Sequence, residues 1–83
     1  MRNTLDESIK KRINNNIKYL LSKNNTSQSA LANGIDRNVS HVNSILNGRG
    51  TPTLEFIINV CEFFNITLDD LIYKDLSENK KSD

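Results

Sequence analysis

Residues 28–52 read QSALANGIDRNVSHVNSILNGRGTP, and the order of caps and apolar pairs in this stretch decides the fold. Thr26-Ser27 just before it offers side-chain oxygens to the free amides of a helix start, and Ala30, Leu31 and Ala32 then supply one apolar turn. Asn38 opens a second short helix whose apolar positions are Val42, Ile45 and Leu46, at the three-and-four spacing of one helix face. Asn47-Gly48 closes it, because both residues tolerate the left-handed backbone, and Pro52 stiffens the chain beyond. The stretch therefore predicts two short helices joined by a tight turn over about residues 28–47.

The flanks extend the same pattern. Ile9, Ile13, Ile17, Leu20 and Leu21 form one stripe on a first helix over about residues 6–23, with Lys10, Lys11, Lys18 and Asn14–Asn16 mostly off it. Asp6 and Glu7 suit the positive end of that helix and Lys23 the negative end. Thr53 caps a fourth helix running to Phe64, with Leu54, Ile57, Cys61 and Phe64 as its core face and Glu55, Asn59 and Glu62 as a polar strip. Thr67, with Asp70 three residues on, starts a fifth helix over about residues 68–74 in the manner of a capping box. No alternating run of strand length occurs. The expected architecture is all-α, with one domain over residues 1–75 and a polar, disordered tail over 76–83.

Composition limits what such a chain can do. Its 83 residues hold one small domain, and 36% hydrophobic content allows only a thin core. The net charge of +1 hides a segregation: residues 8–50 carry seven basic groups and one acid, Asp36, whereas residues 51–83 carry three basic groups and seven acids. A basic half beside an acidic half is a hint of nucleic-acid contact by the former. Cys61 and His41 are the only residues of their kinds, which excludes a disulfide framework and a Cys/His zinc site. No catalytic constellation can be assembled, so neither an enzyme nor a cofactor is expected. No stretch approaches the ~20 apolar residues of a membrane span, and no apolar segment follows the N-terminal charges as in a secretory signal. A cytoplasmic, nucleoid-associated protein is expected.

Two short helices and a tight turn in a basic segment meet the helix-turn-helix description. The stretch resembles the DNA-binding domain of the phage repressor and Cro type, the Xre family. The resemblance rests on Gln28, Leu31-Ala32, Asn38, Val42 with Ile45, Asn47-Gly48, Arg49 and Pro52. It continues through Leu54, Ile57, Phe64, Thr67, Leu68 and Leu71, and covers about residues 9–72. It implies a compact five-helix, lambda-repressor-like DNA-binding domain. The implied function is sequence-specific, double-stranded DNA binding by a transcriptional regulator, expected to be a repressor, with the third helix in the major groove.

Two features depart from the family pattern, one a single residue and one a pair. Asp36 stands where the turn between the second and third helices usually has Gly, and Gly34 offers an earlier end to helix two. Leu21 and Leu46 stand where the family commonly pairs an Arg with a Glu. An apolar pair is a workable replacement, since well-packed apolar groups often match a buried ion pair in stability.

The resemblance and the helical geometry together assign roles. At about 100° per residue, Ser40, Ser44 and Asn47 fall opposite Val42, with Asn43 on the flank and Asn38 and Val39 at the leading end. Asn38, Val39, Ser40, Asn43 and Ser44 are the expected base contacts. None of them is an Arg to read guanine, and Val39 suits a thymine methyl, so the site should lean towards A/T. Gln28, Arg37, Asn47 and Arg49 are the expected phosphate contacts. Phe56 and Phe63, with Tyr73 and Leu76, are the expected dimer contact, because a two-fold dimer on a palindromic operator completes the reading head. The alternative is a protein-interaction module, or an antitoxin-like regulator with a protein partner, on the same fold.

Overall fold

The computed structural model describes residues 7–77. Five helices follow in order: α1 (Glu7–Lys23), α2 (Gln28–Gly34), α3 (Val39–Leu46), α4 (Leu54–Phe64) and α5 (Leu68–Tyr73). No strand occurs among the described residues. The all-α, five-helix expectation is met. The two ends of the expected domain and tail, residues 1–6 and 78–83, lie outside the described residues.

Three helices start on the expected side chains. Ser27 Oγ accepts from the Ala30 amide, Thr53 Oγ1 from Phe56 and Thr67 Oγ1 from Asp70, each at 3.0–3.1 Å. Each bond satisfies one of the amides a helix start leaves without a partner. The Asp70 carboxylate does not complete a capping box; it pairs with Lys74 at 2.9 Å, one turn on. That exposed ion pair and the bond from Thr67 hold the Asp70 carboxyl below its ordinary value. Asn38 occupies the N-cap position of α3, but its side chain makes no capping bond.

The turn between α2 and α3 closes on Asp36, whose φ is 61°. Asp accepts the left-handed backbone better than most residues, at a cost on the order of 1 kcal/mol. The turn is held by the Arg37 amide on Ala32 O at 2.8 Å and the Asp36 amide on Asn33 O at 3.3 Å. Gly34 is the last residue of α2 and lies against the Phe63 ring: a Cβ there would lie 2.6 Å from Phe63 Cδ1, so a larger residue would have to push the ring aside. After α3 it is Gly48, at φ 86°, that adopts the left-handed conformation, while Asn47 stays at φ −88°.

The core runs through every helix: Ile13, Ile17, Leu20 and Leu21 from α1, Leu31 and Ala32 from α2, Val42, Ile45 and Leu46 from α3, Phe56, Ile57, Val60 and Cys61 from α4, and Leu71 from α5. Leu21 and Leu46 are both buried, as the apolar replacement of the family's ion pair requires. Helix α4 is rotated from its expected setting. Phe56 and Val60 are fully buried, whereas Leu54 is 65% exposed. The sequence LEFIINVCEFF is apolar nearly all round, so periodicity alone does not select its inner face.

Two asparagines correct the reading of α1. Asn14 and Asn16, expected off the stripe, are 7% and 1% exposed. They flank the apolar stripe, one on each side. Asn16 Nδ2 donates to Leu71 O and Lys74 O, both at 2.7 Å, and its Oδ1 accepts from the Leu76 amide at 3.0 Å. Arg12 Nη1 adds a bond to Tyr73 O at 3.2 Å. Side chains of α1 thus occupy the orphan carbonyls at the end of α5, a six-residue helix too short to hold by itself. This clamp also draws Leu76 into the core at 9% exposure, so the fold continues past the expected boundary at residue 75. Asn14 Nδ2 donates to Ile45 O at 3.0 Å and anchors the C-terminal turn of α3 in the same way.

Candidate nucleic-acid interface

Helix α3 is pinned on one side and open on the other. Val42, Ile45 and Leu46 are 0–2% exposed, and Asn14 holds the Ile45 carbonyl from beneath. Asn38, Val39 and Ser40 are exposed at the leading end, with Val39 at 45%. An apolar side chain left this open on a helix start is free to meet an apolar group on a partner, such as a thymine methyl. Asn38 O accepts from the His41 and Val42 amides, so the backbone of Asn38 caps α3 while its amide side chain stays uncommitted.

The remaining expected base contacts are placed differently. Ser44 is half-buried, and the loop after α3 folds back on it: the Arg49 and Gly50 amides both donate to Ser44 O, at 2.9 and 3.1 Å. A Cβ at Gly50 would come within 3.3 Å of Ser44 Oγ. Asn43 is also half-buried and uses both ends of its amide within the protein. Its Nδ2 donates to Gln28 Oε1 at 3.2 Å, and its Oδ1 accepts from Asn47 Nδ2 at 2.9 Å.

Three of the four expected phosphate contacts lie around this helix. Gln28 begins α2, Asn47 follows the end of α3, and the exposed Arg49 sits one residue beyond Gly48. Arg37 is engaged with Glu55 of α4 at 3.4 Å. That glutamate is 77% exposed, and such a surface pair is worth only about 0–1 kcal/mol, little enough for a phosphate to displace it. Composition alone does not single out Lys18. It lines a shallow groove with Ser22, Asn25, Ser27 and Gln28, bringing a cation of α1 beside the start of α2. Its membership of the basic stretch and its place off the apolar stripe are the signals that point to it.

The expected dimer contact does not hold together as a set. Phe56 is 0% and Leu76 9% exposed, so both belong to the core and are withdrawn from it. The Phe56 ring packs inward, 6.2 Å edge-on from His41, and Leu76 is drawn in by Asn16. Phe63 and Tyr73 remain exposed at 39% and 66%. Phe63 also packs against Gly34 and edge-on to Phe64 at 5.0 Å. Leu54 and Ile58, one turn apart on α4, are exposed as well.

Chemistry of other kinds finds little footing among the described residues. The Cys61 thiol is buried, and burial together with the nearby Asp70 carboxylate raises its pKa, which keeps it protonated and unreactive. No cluster of His, Cys, Asp and Glu suited to a metal ion occurs among them. No helix among the described residues is long and apolar enough to cross a membrane.

A family model described as helix-turn-helix matches residues 17–71, more than half of the chain. That span begins within α1 and ends within α5. Neither the curated proteins nor the solved structures contain a match to the chain.

Proposed function

Because the chain belongs to the helix-turn-helix family of the phage-repressor and Cro (Xre) type, a family of DNA-binding regulators, we propose that it is a sequence-specific transcriptional repressor that seats α3 in the major groove of a palindromic operator. The observation that carries the reading is the two-sidedness of α3: one face locked into the core and Asn14, the other short, polar and open. Short side chains let a helix lie deep in the groove. Asn38, Val39 and Ser40 meet base edges first, and Ser44 reaches them from under the loop. Gln28, Arg37, Asn47 and Arg49 grip the phosphates on either side, with Lys18 beside Gln28.

A single α3 covers one half-site, so the protein acts as a homodimer in the cytoplasm, on nucleoid DNA. Leu54 and Ile58, which share one face of α4, offer an exposed apolar surface for that dimer; Phe63, on the opposite face of α4, and Tyr73, on α5, are the other exposed candidates.

Salt dependence tests this directly. Two to three cations on phosphates per protomer give a dimer a slope of roughly −4 to −5 in log K against log salt, a loss on the order of 10²–10³-fold between 50 and 200 mM. Fluorescence anisotropy on a labelled duplex over that range measures it. Absent or salt-insensitive binding would instead favour a protein-interaction module or antitoxin-like regulator on the same fold.

A further inference from the structure

Asn43 lies between two of the residues that face phosphate, and its hydrogen bonds have a direction. Asn47 Nδ2 donates to Asn43 Oδ1 at 2.9 Å, and Asn43 Nδ2 donates to Gln28 Oε1 at 3.2 Å. The chain of donors therefore runs from the end of α3 to the start of α2. It ends on the carbonyl of the Gln28 amide, which leaves the Nε2 group of Gln28 as the outward donor. A phosphate has only acceptors to offer. A glutamine amide flipped the other way would turn its oxygen to the phosphate and repel it, and without a partner the two orientations differ little. With Asn43 donating to Gln28 Oε1, the Nε2 group is the one left for phosphate.

We propose that Asn43 is not a base-reading residue but a positioning residue, which orients the Gln28 amide for phosphate and ties it to Asn47 across the helix-turn-helix. The proposal rests on the DNA-binding reading above. Asn43 sits at a flank position that geometry alone would give to the bases, but both ends of its amide are already engaged. Its effect on binding is accordingly independent of sequence, because phosphate contacts set register and grip without reading bases.

The test is a cycle of Asn43→Ala, Gln28→Ala and the double variant, measured by anisotropy on the operator selected from random duplexes and on its single-base variants. Asn43→Ala should weaken binding about five- to tenfold, equally on every duplex, as expected for one oriented hydrogen bond. In the Gln28→Ala background the same change should cost about threefold or less, since the two residues act as a unit. In the free protein, the side-chain amide resonances of Gln28 should move on Asn43→Ala and stay in place on Ser40→Ala. A loss confined to one base pair, an undiminished loss in the Gln28→Ala background, or unmoved Gln28 resonances would each overturn the proposal while leaving DNA binding intact. Failure of the unaltered protein to bind any duplex would overturn the DNA-binding reading, and this proposal with it.

Discussion

Phe56→Ala should destabilise the protein by about 3–5 kcal/mol, the range for emptying a buried aromatic site. Phe56 is 0% exposed, and its ring stands edge-on to His41, on the outer turn of α3, 6.2 Å between centroids. Removing it opens a cavity behind the helix that carries the proposed reading surface. Small domains have on the order of 5 kcal/mol to lose, so a large unfolded fraction at 37 °C is the expected result. Urea unfolding followed by circular dichroism measures the loss. Phe63→Ala makes the comparison: at 39% exposure it should cost clearly less. A Phe56→Ala protein that stayed as stable as its parent but changed its oligomeric state would return Phe56 to the surface and contradict the packing of α4.

Leu46→Glu should be as damaging, by a different route. Leu46 is 2% exposed in the last turn of α3, and Leu21, at the position that commonly supplies an arginine in this family, has no charge to offer. A lone buried carboxylate costs about 3–5 kcal/mol when its partner is missing. Desolvation would raise the pKa of the new group in the folded state above the ~4.3 of the unfolded chain. Below the unfolded value both states are protonated and the charge penalty vanishes. As pH rises through that value, the unfolded chain releases its proton first and the folded state loses ground. The deficit relative to Leu46→Gln should therefore be large at pH 7 and small near pH 4, read as the difference in thermal midpoints. Equal midpoints at pH 7 would mean that residue 46 does not face the core.

These two residues also mark how far the sequence carries. Leu46 was legible because Val42, Ile45 and Leu46 define one face of a short helix with polar residues around it, and the caps at Ser27, Thr53 and Thr67 were legible for similar local reasons. Phe56 was not. In a helix apolar on most sides, the inner face is chosen by what it packs against, and such contacts join residues far apart in the sequence, as Phe63 and Gly34 do across 29 positions. Asn14 and Asn16 escaped for a related reason. An asparagine at the edge of an apolar stripe reads as surface until the carbonyls it must cap, at Ile45 and at Leu71 and Lys74, are brought against it. Asp36 was legible in the other direction: a residue that tolerates the left-handed region stood where the turn needs one, and its φ is 61°.

In the candidate interface, sequence position locates the residues but not their commitments. Asn38, Val39 and Ser40 lie open at the start of α3. Asn43 bonds Asn47 one helical turn on, as i,i+4 spacing allows, but its other partner, Gln28, is not specified by spacing, and neither are Glu55 for Arg37 and the returning loop for Ser44. The near-zero net charge is likewise a sum over two unlike halves. The basic one contains α1 to α3 and the loop after them, and the acidic one contains α4 and α5.

The central claim is that α3 of this chain reads duplex DNA, and selection of bound sequences from random duplexes tests it most directly. The expected result is a two-fold symmetric motif with A/T at the positions facing Val39, Ser40 and Ser44, and a Val39→Ala protein that relaxes its preference at one position in each half-site. No enrichment at all, or G/C at every one of those positions, would contradict it.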